Sequence, residues 1–266
     1  MYGAILGDII GCPFEFDRGD KIKNFPLFRV GSEFTDDTVM TIAVAEAFLD
    51  APDDEEVIRR RLVESMQKYG HLYPHAGYGL RFSHWLSARH PKPYGSFGNG
   101  SAMRVSSVAW LYHDLDTVRR MARLSAEVTH NHPEGIKGSE ATASAIFLAR
   151  TGSTKAEIRR YIEDEFRYDL SRTCDQIRPG YYHVESCQET VPEAITAFLE
   201  GESFEDVIRT AVSLGGDCDT LTAIAGSIAE GFYCVPEDLK RECRNRLDKR
   251  LTKVLDAFLE RRASLA

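Results

Sequence analysis

The chain has no apolar run long enough to cross a bilayer, which takes about 20 residues; its hydrophobic stretches are short or interrupted. No membrane segment is expected. It also lacks an excess of positive charge: 33 Lys and Arg face 41 Asp and Glu, for a formal net charge of -8. That balance argues against a protein that lives on nucleic acid or on an anionic membrane surface. The six cysteines, Cys12, Cys174, Cys187, Cys218, Cys234 and Cys243, include no C-x-x-C pair, and Met1-Tyr2-Gly3-Ala4 brings no basic segment ahead of a hydrophobic run. A reduced, cytoplasmic setting is the expectation. No low-complexity tract is present, and no repeat with a period of about 20 to 50 residues is evident, so a solenoid is not expected.

What remains is ordinary globular material. The 266 residues are 43% hydrophobic and 28% charged, enough for a sizeable core in one domain spanning 1–266. Helical periodicity runs over 38–50 and 54–69, with Pro52 and Asp53 breaking the chain between them to give an αα-hairpin. It returns at 115–128, 133–151, 154–165, 190–200, 204–214, 220–234 and 249–263. No run of strict alternation competes with it, so the fold class is all-α. Residues 1–12 form a small-residue helix in which Gly3, Gly7 and Gly11 leave bare backbone on one face for another helix to approach. Between 71 and 101 the periodicity fails, and Gly, Pro, Tyr and Asn mark binding loops. The C-terminal helix interleaves Lys249, Arg250, Lys253, Arg261 and Arg262 with Leu251, Val254, Leu255, Phe258 and Leu259, as an amphipathic surface helix does.

Two acidic clusters stand out. Asp36 and Asp37 precede the apolar helix at 38–50, and Asp217 and Asp219 precede the one at 220–234; Thr35 and Thr220 lie beside them. A lone Asp at a helix N-terminus serves as a cap. Capping needs only one oxygen, whereas each cluster brings two carboxylates within three residues. Paired carboxylates repel and raise one another's pKa unless a cation lies between them. The donors are all hard oxygens, which points to Mg²⁺ or Mn²⁺ rather than zinc, with Ca²⁺ also tolerated. Cys218, between two acids, reads as a packing residue. Gly215-Gly216 frees the backbone to turn sharply into the second helix.

With these clusters in view, the chain resembles the ADP-ribosylglycohydrolases. The resemblance rests on Gly3-x-x-x-Gly7-Asp8-x-x-Gly11-x-x-x-Glu15, Phe34-Thr35-Asp36-Asp37-Thr38-x-Met40-Thr41 and Gly98-Asn99-Gly100-Ser101-Ala102-Met103-Arg104. Thr129-His130-x-His132-Pro133 follows, and Gly215-Gly216-Asp217-Cys218-Asp219-Thr220 closes the series, in the family's order along nearly the whole length. It implies a compact orthogonal helical bundle with two Mg²⁺ or Mn²⁺ ions in a central cleft, held by Thr35, Asp36, Asp37, Asp217, Asp219 and Thr220. It also implies hydrolysis of the glycosidic bond between ADP-ribose and an acceptor, releasing ADP-ribose, by a monomer. Glu15 matches a family glutamate near the metals, and Phe16-Asp17-Arg18-Gly19-Asp20 reads as a flexible lid. The chain departs from the family at Glu230-Gly231, where Gly-Ala is more usual, and segments 15–34 and 165–190 do not align motif by motif; acceptor specificity is expected there.

Cleavage at the anomeric carbon passes through an oxocarbenium-like transition state, and Glu15, Asp36 and Asp217 are the candidate catalytic carboxylates, with the proton-transfer group left open among the site's acids. In an acidic protein, backbone N–H groups are natural hosts for a diphosphate. Gly98, Asn99, Gly100 and Ser101, with Met103, are the candidates. Arg104 can reach phosphate or pair with a structural carboxylate. Gly77 and Tyr78 offer an aromatic face for the adenine or ribose, with Tyr78 as a core cap the other reading. His130 and His132 cannot share one helical face, so hydrogen-bonding roles are expected: His130 near substrate, His132 structural. Ser186-Cys187-Gln188-Glu189, ahead of a helix opening near Pro192, reads as a cap rather than a cleft border. A two-metal nucleotide phosphohydrolase and a non-catalytic ADP-ribose-binding protein are the alternatives.

Overall fold

The computed structural model describes residues 1–49, 51 and 54–265. Asp50, the expected last residue of the 38–50 helix, and the expected break at Pro52 and Asp53 lie outside the described residues. The fold is all-α, with no strand among the described residues. In chain order the helices are α1 (Tyr2–Gly11), α2 (Asp36–Phe48), α3 (Glu55–Leu72), α4 (Leu80–Ser87), α5 (Gly100–Met103), α6 (Val108–Leu111), α7 (Leu115–Glu127) and α8 (Pro133–Arg150). They continue as α9 (Lys155–Phe166), α10 (Cys174–Ile177), α11 (Cys187–Glu200), α12 (Phe204–Val212), α13 (Cys218–Tyr233), α14 (Glu237–Arg246) and α15 (Lys249–Ser264). Buried apolar side chains from Met1 to Phe258 form one continuous core.

The packing of α1 on α13 sets the frame for everything that follows. A β-carbon built on Gly3 would lie 2.0 Å from Gly226 O, one on Gly7 2.3 Å from Thr222 O, and one on Gly11 2.6 Å from Cys218 O. Only hydrogen fits at these positions, so the two backbones lie in direct contact. Ala at an ordinary helical site would be favoured over Gly by about 1 kcal/mol; here the glycines are required by the partner helix. The unusual Glu230 belongs to this pair of helices: its Oε2 accepts from Gly3 N at 2.7 Å and from the Met1 amino group at 2.8 Å. A carboxylate at a helix N-terminus satisfies orphan donors and faces the positive end of the dipole.

Of the helices that lie outside the expected runs, α4 and α14 are the longest. α4 falls in the segment read as binding loops; its eight residues bury Phe82, Trp85 and Leu86 at the i, i+3, i+4 spacing, too short a stripe to stand out between glycines and prolines. α14 is charged almost throughout and buries only Leu239 and Cys243, one turn apart. α2, α11 and α13 also open two or three residues earlier than their apolar patterns do, because polar residues make up their first turns. Pro192 therefore lies inside α11 rather than at its start. α15 buries Leu251, Val254, Leu255 and Phe258 on one face, as its amphipathic pattern requires.

Candidate functional site

The early starts of α2 and α13 put Asp36, Asp37 and Asp219 into the first turns of their helices and Asp217 directly before one, where backbone N–H groups and the helix dipole favour negative charge. Thr35 caps α2, its hydroxyl accepting from Asp37 N at 3.3 Å. Asp8, fully buried on α1, accepts from Thr35 N (2.9 Å), Thr35 Oγ1 (2.8 Å), Thr38 N (3.0 Å) and Thr38 Oγ1 (2.5 Å). One carboxylate thus ties α1 to the start of α2. Burial pushes Asp8 up to about 6 despite those four bonds.

The start of α13 is built differently. Gly215 and Gly216 both take left-handed backbone, with φ of +76° and +75°, and the turn delivers Asp217 directly before the helix. Asn99 Nδ2 donates to Asp217 Oδ2 at 2.6 Å and to Thr190 Oγ1 at 3.1 Å. The N-termini of α2 and α13 meet: Thr220 Oγ1 donates to Asp37 Oδ2 at 3.1 Å, and Thr35 Oγ1 lies 3.5 Å from Asp219 Oδ2. Glu15 joins from the loop after α1, one carboxylate oxygen of each of Glu15, Asp217 and Asp219 lying within 4.8 Å of the others.

Crowding and burial act together on these carboxyls. Asp37 and Asp219 are pushed well above the usual range by burial and by the neighbouring aspartates, as is half-buried Asp36. Asp217 rises to about 7 through burial, which outweighs the Asn99 hydrogen bond, and Glu15 rises to about 7 through burial and the charge of Asp219. Asp37 Oδ1 is buried without a hydrogen-bond partner among the described residues. Concentrated negative charge, hydroxyls beside it and an orphaned carboxylate oxygen fit a hard divalent cation.

The acids line one wall of a cavity of about 300 Å³. Gly77, Gly98, Asn99, Gly100, Met103, Arg104 and His130 also line it, as does Phe16 of the lid-like segment; Leu80, Arg81, Tyr94 and Glu185 join them, which no sequence pattern singles out. The Gly98 turn is bridged to the start of α11, with Asn99 N donating to Glu185 O at 2.8 Å and Cys187 N to Phe97 O at 2.9 Å. Gly98–Ser101 is thus clamped in place.

This arrangement matches known proteins along its whole length. The family model described as ADP-ribosylglycohydrolase covers residues 1–265. The chain belongs to that family. Among its relatives, ADP-ribosylhydrolase ARH3 of Homo sapiens is 27% identical, the match covering 91% of this chain and 87% of the relative. ADP-ribosylarginine hydrolase Tri1 of Pseudomonas putida (strain GB-1) is 24% identical over 88% of this chain and 70% of its own length. An uncharacterized protein of Archaeoglobus fulgidus is 31% identical, covering 97% and 95%. A solved structure titled ADP-ribosylglycohydrolase-related protein complex shares the fold, with a TM-score of 0.68 at 21% identity over 98% of this chain and 97% of its own.

Several residues singled out in the sequence have other work. Ser101 does not line the cavity; its buried hydroxyl donates to Gly135 O at 2.7 Å. Tyr78 is turned away from it as well, packing edge-on against Phe82 with centroids 5.7 Å apart. Asn99 lines the cavity, yet its amide nitrogen is committed to Asp217 and Thr190. Arg104 pairs with no carboxylate among the described residues; its guanidinium donates to Ser125 O and Thr129 Oγ1. His132 caps α8, accepting from Glu134 N at 3.2 Å. Ser186 Oγ donates to Glu189 Oε2 at 2.7 Å, a local contact at the start of α11. The lid-like segment is tied down: Asp17 accepts from His183 N at 2.9 Å and Gly216 N at 3.1 Å, and Phe16 lies on the His183 ring at 4.7 Å.

Proposed function

We propose that the protein is a metal-dependent hydrolase that cleaves the glycosidic bond between ADP-ribose and an acceptor, releasing ADP-ribose. The observation that carries this reading is the meeting of two acidic helix N-termini, joined by Thr220 and Asp37, on the wall of a glycine-lined cleft. Membership of the ADP-ribosylglycohydrolase family and the names of the ARH3 and Tri1 relatives support it. Thr35, Asp36, Asp37, Asp217, Asp219 and Thr220 would hold two Mg²⁺ or Mn²⁺ ions. Such ions, when bound, supply Lewis acidity that orients ribose hydroxyls and makes water easier to deprotonate.

The chain's own groups do the rest. Asp8 and Asn99 hold the two acidic helix starts at fixed spacing, so the donor set needs little reorganisation on binding. Glu15 reaches the acids from a loop and is placed to exchange a proton between its carboxylate and the acceptor or the attacking water. The clamped turn at Gly98–Gly100 lets a ligand approach the main chain, and His130 adds a side-chain contact at its floor. The exposed rings of Phe16 and Phe97 and the side chain of Leu80 lie at the cleft or beside it, and would meet the base and the acceptor.

A panel of defined substrates, with ADP-ribose on arginine, serine, a nucleic-acid base, acetate or a polymer, tests the reading by product analysis. Intact ADP-ribose from at least one linkage is expected. AMP or phosphate as the product would show phosphohydrolysis instead, and no turnover of any linkage would contradict hydrolysis.

A further inference from the structure

His130 is buried on the floor of the cleft, against the Gly98–Gly100 turn; a β-carbon on Gly100 would come 3.2 Å from its Nε2. Its other ring nitrogen is engaged. Nδ1 lies 2.7 Å from Thr129 Oγ1, and that oxygen accepts from Arg104 Nη2, also at 2.7 Å. A hydroxyl has a single proton to give. The Thr129 proton has two acceptors in reach, Ala126 O at 3.5 Å and His130 Nδ1 at 2.7 Å, and the shorter contact is the stronger one. Nδ1 is therefore the bare nitrogen, and Nε2 carries the hydrogen.

The charge of Arg104 acts in the same direction. The side chain is 1% exposed and forms no ion pair with a carboxylate among the described residues. Burial and the nearby guanidinium groups of Arg104 and Arg81 hold His130 well below the usual histidine pKa, so a second proton on the ring is disfavoured.

We propose that Arg104 and Thr129 form a relay that fixes His130 as a neutral Nε2–H donor, aimed at an oxygen of the ADP-ribosyl group lying over the Gly98–Gly100 turn. The inference rests on the cleft being an ADP-ribose site. Arg104 and Thr129 are positioning residues that act through the imidazole. In this state His130 gives a hydrogen bond to the substrate and takes no proton from it, so its contribution falls on binding rather than on the chemical step.

The tautomer is read by two-bond ¹H–¹⁵N correlation on full-length protein labelled with ¹⁵N-histidine, the His130 signals being assigned with His130→Gln. The wild type is expected to show the Nε2–H pattern from pH 6 to 8. Thr129→Val should lose that single pattern, bind ADP-ribose about five- to tenfold more weakly by calorimetry, as for one lost hydrogen bond, and keep kcat within about twofold. Thr129→Ser, which keeps the hydroxyl, should restore both pattern and affinity. An Nδ1–H or doubly protonated His130 in the wild type at pH 7 would overturn the proposal, as would Thr129→Val with unchanged ADP-ribose affinity. If Thr129→Val does not fold, the wild-type spectrum and Thr129→Ser decide. A wild-type protein without affinity for ADP-ribose would defeat the functional reading, while the tautomer, seen in the same sample, would still be judged by itself.

Discussion

The acidic N-termini of α2 and α13 carry similar residues and are held in opposite ways. At α2 the backbone is ordinary, and the order comes from a neighbour: Asp8 gathers four hydrogen bonds from Thr35 and Thr38. At α13 the order comes from the backbone itself, two successive left-handed glycines, with Asn99 steadying the first acid. Asp217 has no side-chain capping bond to its own helix; its carboxyl group is engaged by Asn99 and Asp219 instead. The difference teaches that a multidentate oxygen site can be assembled from a rigid half and a half set by a turn, with Glu15 brought in on a loop that Asp17 pins to that same turn.

Five outcomes would sharpen or break this contrast. The largest is expected at Glu15, the proposed proton-transfer group: Glu15→Gln should lower kcat by roughly 10²- to 10⁴-fold with metal binding largely retained. Activity within tenfold of wild type would remove Glu15 from the chemistry. Next are the supports of the two halves, Asp8→Asn and Asn99→Ala, each expected to weaken Mn²⁺ binding roughly 10- to 100-fold by calorimetry. Asp8→Asn should also lower the melting temperature more, because it unties α1 from α2; equal stability for the two variants would break the contrast.

Gly7→Ala tests the frame beneath both halves. At most helical sites Ala stabilises, yet here its β-carbon meets Thr222 O at 2.3 Å, and a loss of about 1–3 kcal/mol in chemical denaturation is expected. A variant as stable as wild type would mean that α1 and α13 do not touch along this face. The smallest effect belongs to the rim: Phe97→Ala should raise KM about two- to tenfold, as for a lost aromatic contact, and leave kcat alone. A change confined to kcat would place Phe97 in the chemistry instead.

Much of this is legible from residue order. Asp36, Asp37, Asp217 and Asp219 stand out because capping needs one oxygen and each helix start offers more, and the glycine ridge on α1 announces a close helix neighbour. The structure brings the two acidic helix starts together and lays α13 on that ridge. Asp8 carries a signal of its own, a single charge inside a small-residue apolar helix, but its partners lie 27 and 30 positions away in the chain, beyond the reach of any local pattern. Ser101 and Asn99 lie close together in one motif, yet one points to Gly135 and the other to Asp217; closeness in a turn does not tell which way a side chain faces. Arg81, Tyr94 and Glu185 reach the cleft from helix α4 and from loops whose paths no periodicity describes. α14 escapes notice because two buried residues in ten are too few to make a period.

The central claim is that the paired acids hold divalent cations on which hydrolysis depends. It is tested most directly by ADP-ribose release from the best substrate of the panel, measured after exhaustive chelation, after Mg²⁺ or Mn²⁺ is added back, and in Asp217→Asn. The account predicts that chelated enzyme loses at least about 100-fold in rate, that one or both ions restore it, and that Asp217→Asn is not restored at wild-type metal concentration. Undiminished release from chelated wild type, or from Asp217→Asn, would contradict it.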